Sequence, residues 1–193
     1  MNEIKTDTKA MNRAMFIDRD NTIIIDKGYL HNPEDIEFLP GVLQALRMFQ
    51  ATGFLNIMVS NQSGIGRGYF SESDYISTQN HMDKLFIANS IKFTAYYYCP
   101  HSPSEDCECR KPKPLMAFKA AREFHINLKE SYMIGDKDSD IEFGKNFGAK
   151  FSFRSIEECV KAINTVSQYE EITTNNFYEF CPEALLYGFK PYR

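Results

Sequence analysis

Short apolar runs that each end in a polar residue alternate along this chain with segments of helical periodicity. The runs Ala14–Ile17 and Leu55–Val59 are typical of buried strands, whereas Val42–Gln50 carries apolar residues at helical spacing. A repeated strand–helix order requires crossover connections, which favour a mainly parallel sheet with helices on both faces. We therefore predict an α/β, Rossmann-like fold in which ligands bind at the carboxyl ends of the strands.

The same reading assigns the other elements. The predicted strands are Ala14–Ile17, Thr22–Ile25, Leu55–Val59, Phe93–Tyr98, Tyr132–Ile134 and Lys150–Phe153. The predicted helices are Val42–Gln50, Ser71–Asn89, Pro114–His125, Ser139–Phe147 and Ile156–Val166. We expect one domain over residues 14–167, a flexible N-terminus over residues 1–13 and an aromatic tail of unknown role over residues 168–193.

The composition is that of a folded globular chain. Of 193 residues, 43% are hydrophobic and 25% are charged, which excludes a disordered chain, a collagen-like fibre and a disulfide miniprotein. The net charge of −4 argues against binding to nucleic acid or to an anionic membrane. No apolar run approaches the ~18 residues of a membrane span, and the first residues are polar, so we expect a cytoplasmic protein. The sequence does not determine the oligomeric state, for which a monomer is favoured.

Three polar residues, Asp18, Ser60 and Asp136, each follow a predicted strand directly. Because the carboxyl ends of parallel strands lie at one edge of the sheet, we expect the three side chains to converge. Asp18 and Asp20 repel each other unless a cation or a proton lies between them, and the oxygen ligands around Asp136 suit Mg²⁺. Each motif alone is also consistent with a turn whose acids are solvated, and Asp138 with a helix N-cap.

Two further stretches could bind an anion. Ser60, Asn61, Gln62 and Ser63 offer a hydroxyl, amides and neighbouring glycines as neutral hydrogen-bond donors. The segment Arg110–Pro114 places three cations in four residues, and its prolines stiffen the loop. Taken alone, the first stretch could be a polar turn and the second a solvated run of charge.

Three cysteines and one histidine lie within eleven residues: Cys99, His101, Cys107 and Cys109. Three thiolates and an imidazole complete a tetrahedral Zn²⁺ site of the structural type, with no position left open for water. We therefore expect a structural zinc ion that holds the loop carrying Arg110 and Lys111. The alternative is a set of free thiols.

Taken together and in this order, the motifs resemble those of the haloacid dehalogenase superfamily of phosphatases. Within that superfamily the chain is similar to the branch that contains the D-glycero-D-manno-heptose 1,7-bisphosphate and histidinol-phosphate phosphatases, from about Ala14 to Arg154. The stretches that carry the likeness are Asp18-Arg-Asp-Asn-Thr22, Asp26-Lys-Gly-Tyr29, Asn61-Gln-Ser-Gly-Ile-Gly-Arg-Gly68, Cys99-Pro-His101, Cys107-Glu-Cys-Arg-Lys-Pro112 and Tyr132-Met-Ile-Gly-Asp-Lys137. The family usually has glycine where this chain has Asn21; asparagine tolerates positive φ well, so we expect the loop to form.

The resemblance implies the catalytic roles. Asp18 would attack phosphorus, and Asp20 would protonate the leaving oxygen and then activate water. Asp18, Asp136 and the backbone carbonyl of Asp20 would hold Mg²⁺. Ser60 and Lys111 would hold the phosphoryl group that is transferred.

The resemblance also implies how a substrate is bound. Arg110 and Lys137 would bind a second, non-reacting phosphate. The sugar would lie along Asp26, Lys27, Gly28 and Tyr29, with Ser60, Asn61, Gln62 and Ser63 also on the substrate side. The implied substrate is a small sugar bisphosphate, most simply the heptose 1,7-bisphosphate at its 7-phosphate. The alternatives are histidinol phosphate, which has one phosphate and a cationic amine, and a catalytically silent binding module.

Overall fold

A parallel sheet of five strands forms the centre of the protein. The computed structural model describes residues 11–169. The strands are β1 (Arg13–Ile17), β2 (Phe54–Asn61), β3 (Phe93–Cys99), β4 (Tyr132–Ile134) and β5 (Phe151–Phe153). The helices are α1 (Val42–Ala51), α2 (Ser63–Gly66), α3 (Glu72–Ala88), α4 (Leu115–Phe124), α5 (Asp138–Phe147) and α6 (Ile156–Tyr169).

The strand order is β3-β2-β1-β4-β5, and every pairing is parallel. Ile17, at the end of the central strand β1, pairs with Met58 on one side and with Ile134 on the other. The carboxyl ends of these three strands therefore lie side by side. The α/β prediction and the parallel sheet are confirmed.

Strand β1 is apolar from Ala14 to Ile17 because both of its faces are buried there. Ala14 and Phe16 pack into the core on the side of α4 and α5, whereas Met15 and Ile17 pack into the core on the side of α1 and α6. All four side chains are fully buried. The two-residue period of a strand thus divides one apolar run between two cores.

The strand predicted over Thr22–Ile25 is wrong. The carbonyl oxygen of Arg19 accepts hydrogen bonds from the backbone N–H groups of Thr22, Ile23 and Ile24 at 2.9 to 3.4 Å, which curls the segment into a turn. Single bridges join Ile24 to Asp20 and to Phe38. Thr22, Ile23 and Ile24 are nevertheless buried, so burial in the core, and not a ladder of strand hydrogen bonds, explains the β-branched run.

The other predicted elements are present with shifted ends. Strand β2 extends to Asn61, so Ser60 is inside the strand instead of after it. Helix α5 begins at Asp138, and Lys137 is the residue before it. The structure does not describe residues 1–10 or 170–193, so the flexible N-terminus and the aromatic tail stay predictions. Within the described residues, no helix combines the length and the apolar character that crossing a membrane requires.

Helix α5 packs so closely on the sheet that one position excludes a side chain. A Cβ atom at Gly144 would lie 2.0 Å from Ser152 Oγ and 2.9 Å from Met133 Cβ. Helix propensity favours Gly144→Ala by about 1 kcal/mol, whereas overpacking costs about 1–3 kcal/mol. We expect Gly144→Ala to lower the free energy of unfolding in urea, and Ser152→Gly in the same chain to restore part of it. A Gly144→Ala variant as stable as the wild type would contradict this packing.

Candidate active site

The ends of four strands meet at one ammonium group, that of Lys111. Its Nζ lies 2.6 Å from Asp18 Oδ1, just after β1, and 2.6 Å from Asp140 Oδ1, in the first turn of α5. It also donates a hydrogen bond of 2.8 Å to the carbonyl oxygen of Val59 in β2. Lys111 itself belongs to the loop after β3 and is 3% exposed.

Asn61 fixes the backbone of Lys111. Its Nδ2 donates to the Lys111 carbonyl oxygen at 3.1 Å, and its Oδ1 accepts from the Lys111 N–H at 3.0 Å. Both ends of this side chain are thus used within the protein. Asn61, expected on the substrate side, positions the loop of Lys111 over the end of β2.

Burial and charge act in opposite directions on these groups. The pKa of the Asp18 carboxyl is raised to about 6: burial is the largest cause and the carboxylates of Asp140 and Asp20 act in the same direction, whereas Lys111 opposes them. Burial lowers the pKa of Lys111, but Asp18 and Asp140 together raise it above its ordinary value. The ammonium is therefore charged at neutral pH, and a further cation beside Asp18 would favour the carboxylate form.

Asp18, Asp136 and Asp140 form a cluster in which one carboxylate oxygen of each lies within 4.8 Å of the others. Asp136 Oδ1 is buried and accepts no hydrogen bond from the described residues. An unsatisfied buried carboxylate oxygen is costly unless it is paired with a cation. A cluster of three carboxylates, in which Asp136 has an oxygen without a partner, suits Mg²⁺ because this ion prefers oxygen ligands.

Asp140 is a member of this cluster for which the sequence predicted no ligand or catalytic role. Its Oδ2 accepts a hydrogen bond from the Lys137 N–H at 3.1 Å while its Oδ1 contacts Lys111. A Cβ at Gly135 would lie 2.5 Å from this carboxylate, so only glycine fits there. The available signal was the short distance along the chain from Asp136, which keeps a carboxylate in the first turn of α5 near the end of β4.

Asp20 and Ser60 belong to a second set of contacts. Gln62 Nε2 donates to Asp20 Oδ2 at 3.0 Å and to Ser60 Oγ at 2.6 Å. Arg19 donates from Nε to Asp20 Oδ1 at 3.0 Å and from Nη2 to Gln62 Oε1 at 3.1 Å. The sequence predicted roles for Asp20, Ser60 and Gln62 and none for Arg19.

The four residues predicted to bind zinc come together. Cys99 Sγ lies 3.5 Å from Cys107 Sγ and 3.2 Å from Cys109 Sγ, and His101 Nδ1 lies 3.2 Å from Cys109 Sγ. A disulfide would need about 2.05 Å, whereas sulfurs bound to one zinc ion at about 2.3 Å lie about 3.8 Å apart. The distances thus fit a metal site better than a disulfide, and all three cysteines are free.

Three of the residues predicted to bind the substrate are less buried than Asp18 and Lys111. Arg110 is partly buried, and its Nη1 donates to the His101 carbonyl oxygen at 3.4 Å. Lys137 is exposed at the start of α5, and Ser63 begins α2.

The loop 26–29 is exposed. Asp26 Oδ1 accepts from the Gly28 N–H, Lys27 pairs with Glu37 at 3.3 Å, and Tyr29 packs edge-on against Tyr69. The residues that we expect along the sugar therefore belong to a surface loop.

Asn21 has φ 57°, the left-handed conformation expected for a position that is usually glycine. Its Oδ1 accepts a hydrogen bond of 3.1 Å from the Asp26 N–H. The asparagine side chain thus connects the loop of Asp18 and Asp20 to the loop 26–29.

Three comparisons place this chain among known proteins. The HAD-hydrolase-like family model matches residues 108–153. The D-glycero-beta-D-manno-heptose-1,7-bisphosphate 7-phosphatase of Helicobacter pylori is 41% identical over 151 residues, covering 78% of this chain and 87% of that protein. The D-glycero-alpha-D-manno-heptose-1,7-bisphosphate 7-phosphatase of Campylobacter jejuni is 46% identical over 134 residues, covering 69% and 77%.

A solved structure agrees with these relatives. The D,D-heptose 1,7-bisphosphate phosphatase of B. bronchiseptica, complexed with magnesium and phosphate, superposes with a TM-score of 0.69 at 25% identity, covering 77% of this chain and 86% of that chain. The motifs, the parallel sheet and the high identity over most of a relative's length agree. The chain belongs to the D-glycero-D-manno-heptose 1,7-bisphosphate phosphatase family of the HAD-like hydrolases.

Proposed function

We propose that this protein hydrolyses the 7-phosphate of D-glycero-D-manno-heptose 1,7-bisphosphate through an aspartyl-phosphate, with Mg²⁺ bound at the active site. The observation that carries the proposal is the buried carboxylate of Asp18, held 2.6 Å from Lys111 beside the unpaired oxygen of Asp136. The identity of the sugar is inferred from the substrates named for the relatives.

The donor set fits Mg²⁺. Asp18, Asp136 and the backbone carbonyl of Asp20 are the proposed ligands, and Asp140 lies in the same cluster. Arg154 supports this loop by donating to the Asp136 carbonyl oxygen at 3.2 Å. When bound, the ion neutralises charge on the phosphoryl oxygens and lowers their repulsion towards Asp18.

The side chains then act in sequence. The Asp18 carboxylate forms a bond to phosphorus while the bond to the leaving sugar oxygen breaks, and Asp20 gives that oxygen a proton. In the second half, Asp20 takes a proton from the water that attacks the aspartyl-phosphate, which releases inorganic phosphate and restores Asp18.

Ser60 and Lys111 hold the transferring phosphoryl in this proposal. Lys111 Nζ already donates to Asp18 Oδ1 and to the Val59 carbonyl oxygen, and it pairs with Asp140 Oδ1 at 2.6 Å. A phosphoryl oxygen can therefore bind Lys111 only by replacing one of these partners. This exchange keeps the ammonium neutralised both before and after the substrate arrives, which a buried cation requires.

Asp18→Asn tests the nucleophile. The amide keeps the shape but loses the charge and the nucleophilicity, so we expect kcat for heptose bisphosphate to fall at least ~10³-fold, about 4 kcal/mol of barrier. Phosphate release measures kcat, and beryllofluoride should form its aspartyl complex only with the wild type. The control is Asp106→Asn, whose side chain is 96% exposed and should leave kcat unchanged. Full turnover by Asp18→Asn would rule out this nucleophile.

Elemental analysis tests the proposed structural zinc. We expect one zinc per chain, lost in Cys107→Ser because one of four ligands is removed, and kept in Cys159→Ala, which alters a buried thiol of the core. Limited proteolysis should then cut the loop near Arg110 faster in Cys107→Ser than in the wild type or in Cys159→Ala. Wild-type protein purified without chelator and free of zinc would refute the site.

Arg110→Ala tests whether Arg110 binds the second, non-reacting phosphate of the substrate. One charge-assisted hydrogen bond is worth about 1.5–3 kcal/mol, so kcat/KM for a bisphosphate should fall ~10–150-fold, mainly through KM. A monophosphate lacks the partner and should be affected much less. The control Lys113→Ala removes a cation of the same loop that already pairs with Asp106 and Glu108. Equal losses on both substrates would assign Arg110 to the reaction centre and favour a histidinol-phosphate type of substrate.

A further inference from the structure

We propose that Arg19 is a positioning residue for the reaction, acting through Gln62 on Ser60 and directly on Asp20. The inference rests on the proposed function, since it concerns how the two side chains meet a phosphate ester. Arg19 has no place in the steps derived above.

Burial fixes Arg19. It is 1% exposed and is the largest of the fully buried side chains in the described residues. Its guanidinium pairs with Asp20 Oδ1 at 2.9 Å, donates to the Leu30 carbonyl oxygen at 3.4 Å and lies 5.5 Å from the centre of the Tyr75 ring. A buried cation with these partners has little freedom to reorient, because each partner lost leaves charge unpaired.

The guanidinium determines which way the Gln62 amide points. An amide can present either its oxygen or its nitrogen to a neighbour, but a guanidinium only donates hydrogen bonds. The Gln62 atom that faces Arg19 Nη2 at 3.1 Å must therefore be the oxygen. The amide nitrogen is then directed to Asp20 Oδ2 and to Ser60 Oγ.

This orientation prepares both side chains for a phosphate ester. Because Ser60 Oγ accepts the short hydrogen bond from Gln62, its own O–H is left to donate to a phosphoryl oxygen. Asp20 receives donors on both oxygens, Arg19 on Oδ1 and Gln62 on Oδ2, so the plane of its carboxylate is fixed. Pre-organised donors of this kind lower the barrier without reorganisation during the reaction.

The test measures kcat and KM on heptose bisphosphate and on p-nitrophenyl phosphate. We expect Arg19→Met to lower kcat ~10–150-fold, the worth of a charge-assisted hydrogen bond, with KM changed less than ~3-fold. Arg19→Lys keeps a cation that only donates and should recover most of kcat. The double variant Arg19→Met with Gln62→Met should fall less than ~3-fold below Arg19→Met, since both act on one network.

Gln62→Glu keeps the inference testable if Arg19→Met does not fold. The glutamate still pairs with Arg19 but accepts where the amide donated, so Ser60 must donate to it and Asp20 is repelled. We expect a folded variant, by thermal melting, whose kcat falls at least ~10-fold. The control Tyr75→Phe removes only a buried hydroxyl that has no partner in the described residues, keeps the ring beside Arg19, and should keep the wild-type kcat.

The outcomes separate the two proposals. Additive effects of Arg19→Met and Gln62→Met, or a folded Gln62→Glu with kcat within ~3-fold of wild type, overturn the role of Arg19 in an enzyme that is otherwise active. A wild type that hydrolyses neither ester overturns the proposed function, and this inference with it. A wild type that hydrolyses p-nitrophenyl phosphate but not the heptose bisphosphate overturns the sugar alone.

Discussion

The rest of the site depends on the contacts that the Lys111 ammonium makes. This ammonium comes from the loop after β3 and contacts Asp18 after β1, Val59 in β2 and Asp140 after β4. One buried charge therefore links the carboxyl ends of four strands. The lysine is 3% exposed, so its ion pairs lie in the protein interior. Ion pairs on the surface contribute little to stability, whereas breaking a buried one leaves a charge unpaired.

The charges around Lys111 do not balance within the described residues. Asp18, Asp20, Asp136 and Asp140 are carboxylates, whereas Lys111 and Arg19 are the two buried cations among them. The excess of negative charge suits a divalent cation, and a phosphate ester would itself be repelled by the uncompensated carboxylates. The raised pKa of Asp18, caused first by burial, is consistent with this excess.

Sequence patterns predicted most of the fold because apolar runs report burial directly, as the division of β1 between two cores illustrates. They failed at Thr22–Ile25 because burial does not distinguish a strand from a turn packed on the core. They predicted that Asp18, Ser60 and Asp136 converge because parallel strands end at one edge. The contacts of Asp140 with Lys111 and of Arg19 with Gln62 join segments that are far apart in the sequence. Such contacts depend on how the side chains are placed in the fold, so a pattern within one segment cannot predict them.

Neighbouring residues in the loop after β3 serve opposite purposes: Arg110 contacts a carbonyl oxygen of the cysteine–histidine cluster, whereas Lys111 reaches into the interior. Inserting or deleting one residue between Cys109 and Lys111 would displace the lysine backbone from the position in which Asn61 holds it. The stretch 103–106, between His101 and Cys107, is exposed, and its described contacts are with nearby residues such as Ser102 and Lys113 instead of Asp18 or Lys111. Changes in chain length during the divergence of this family should therefore be tolerated there and eliminated between the last cysteine and the lysine.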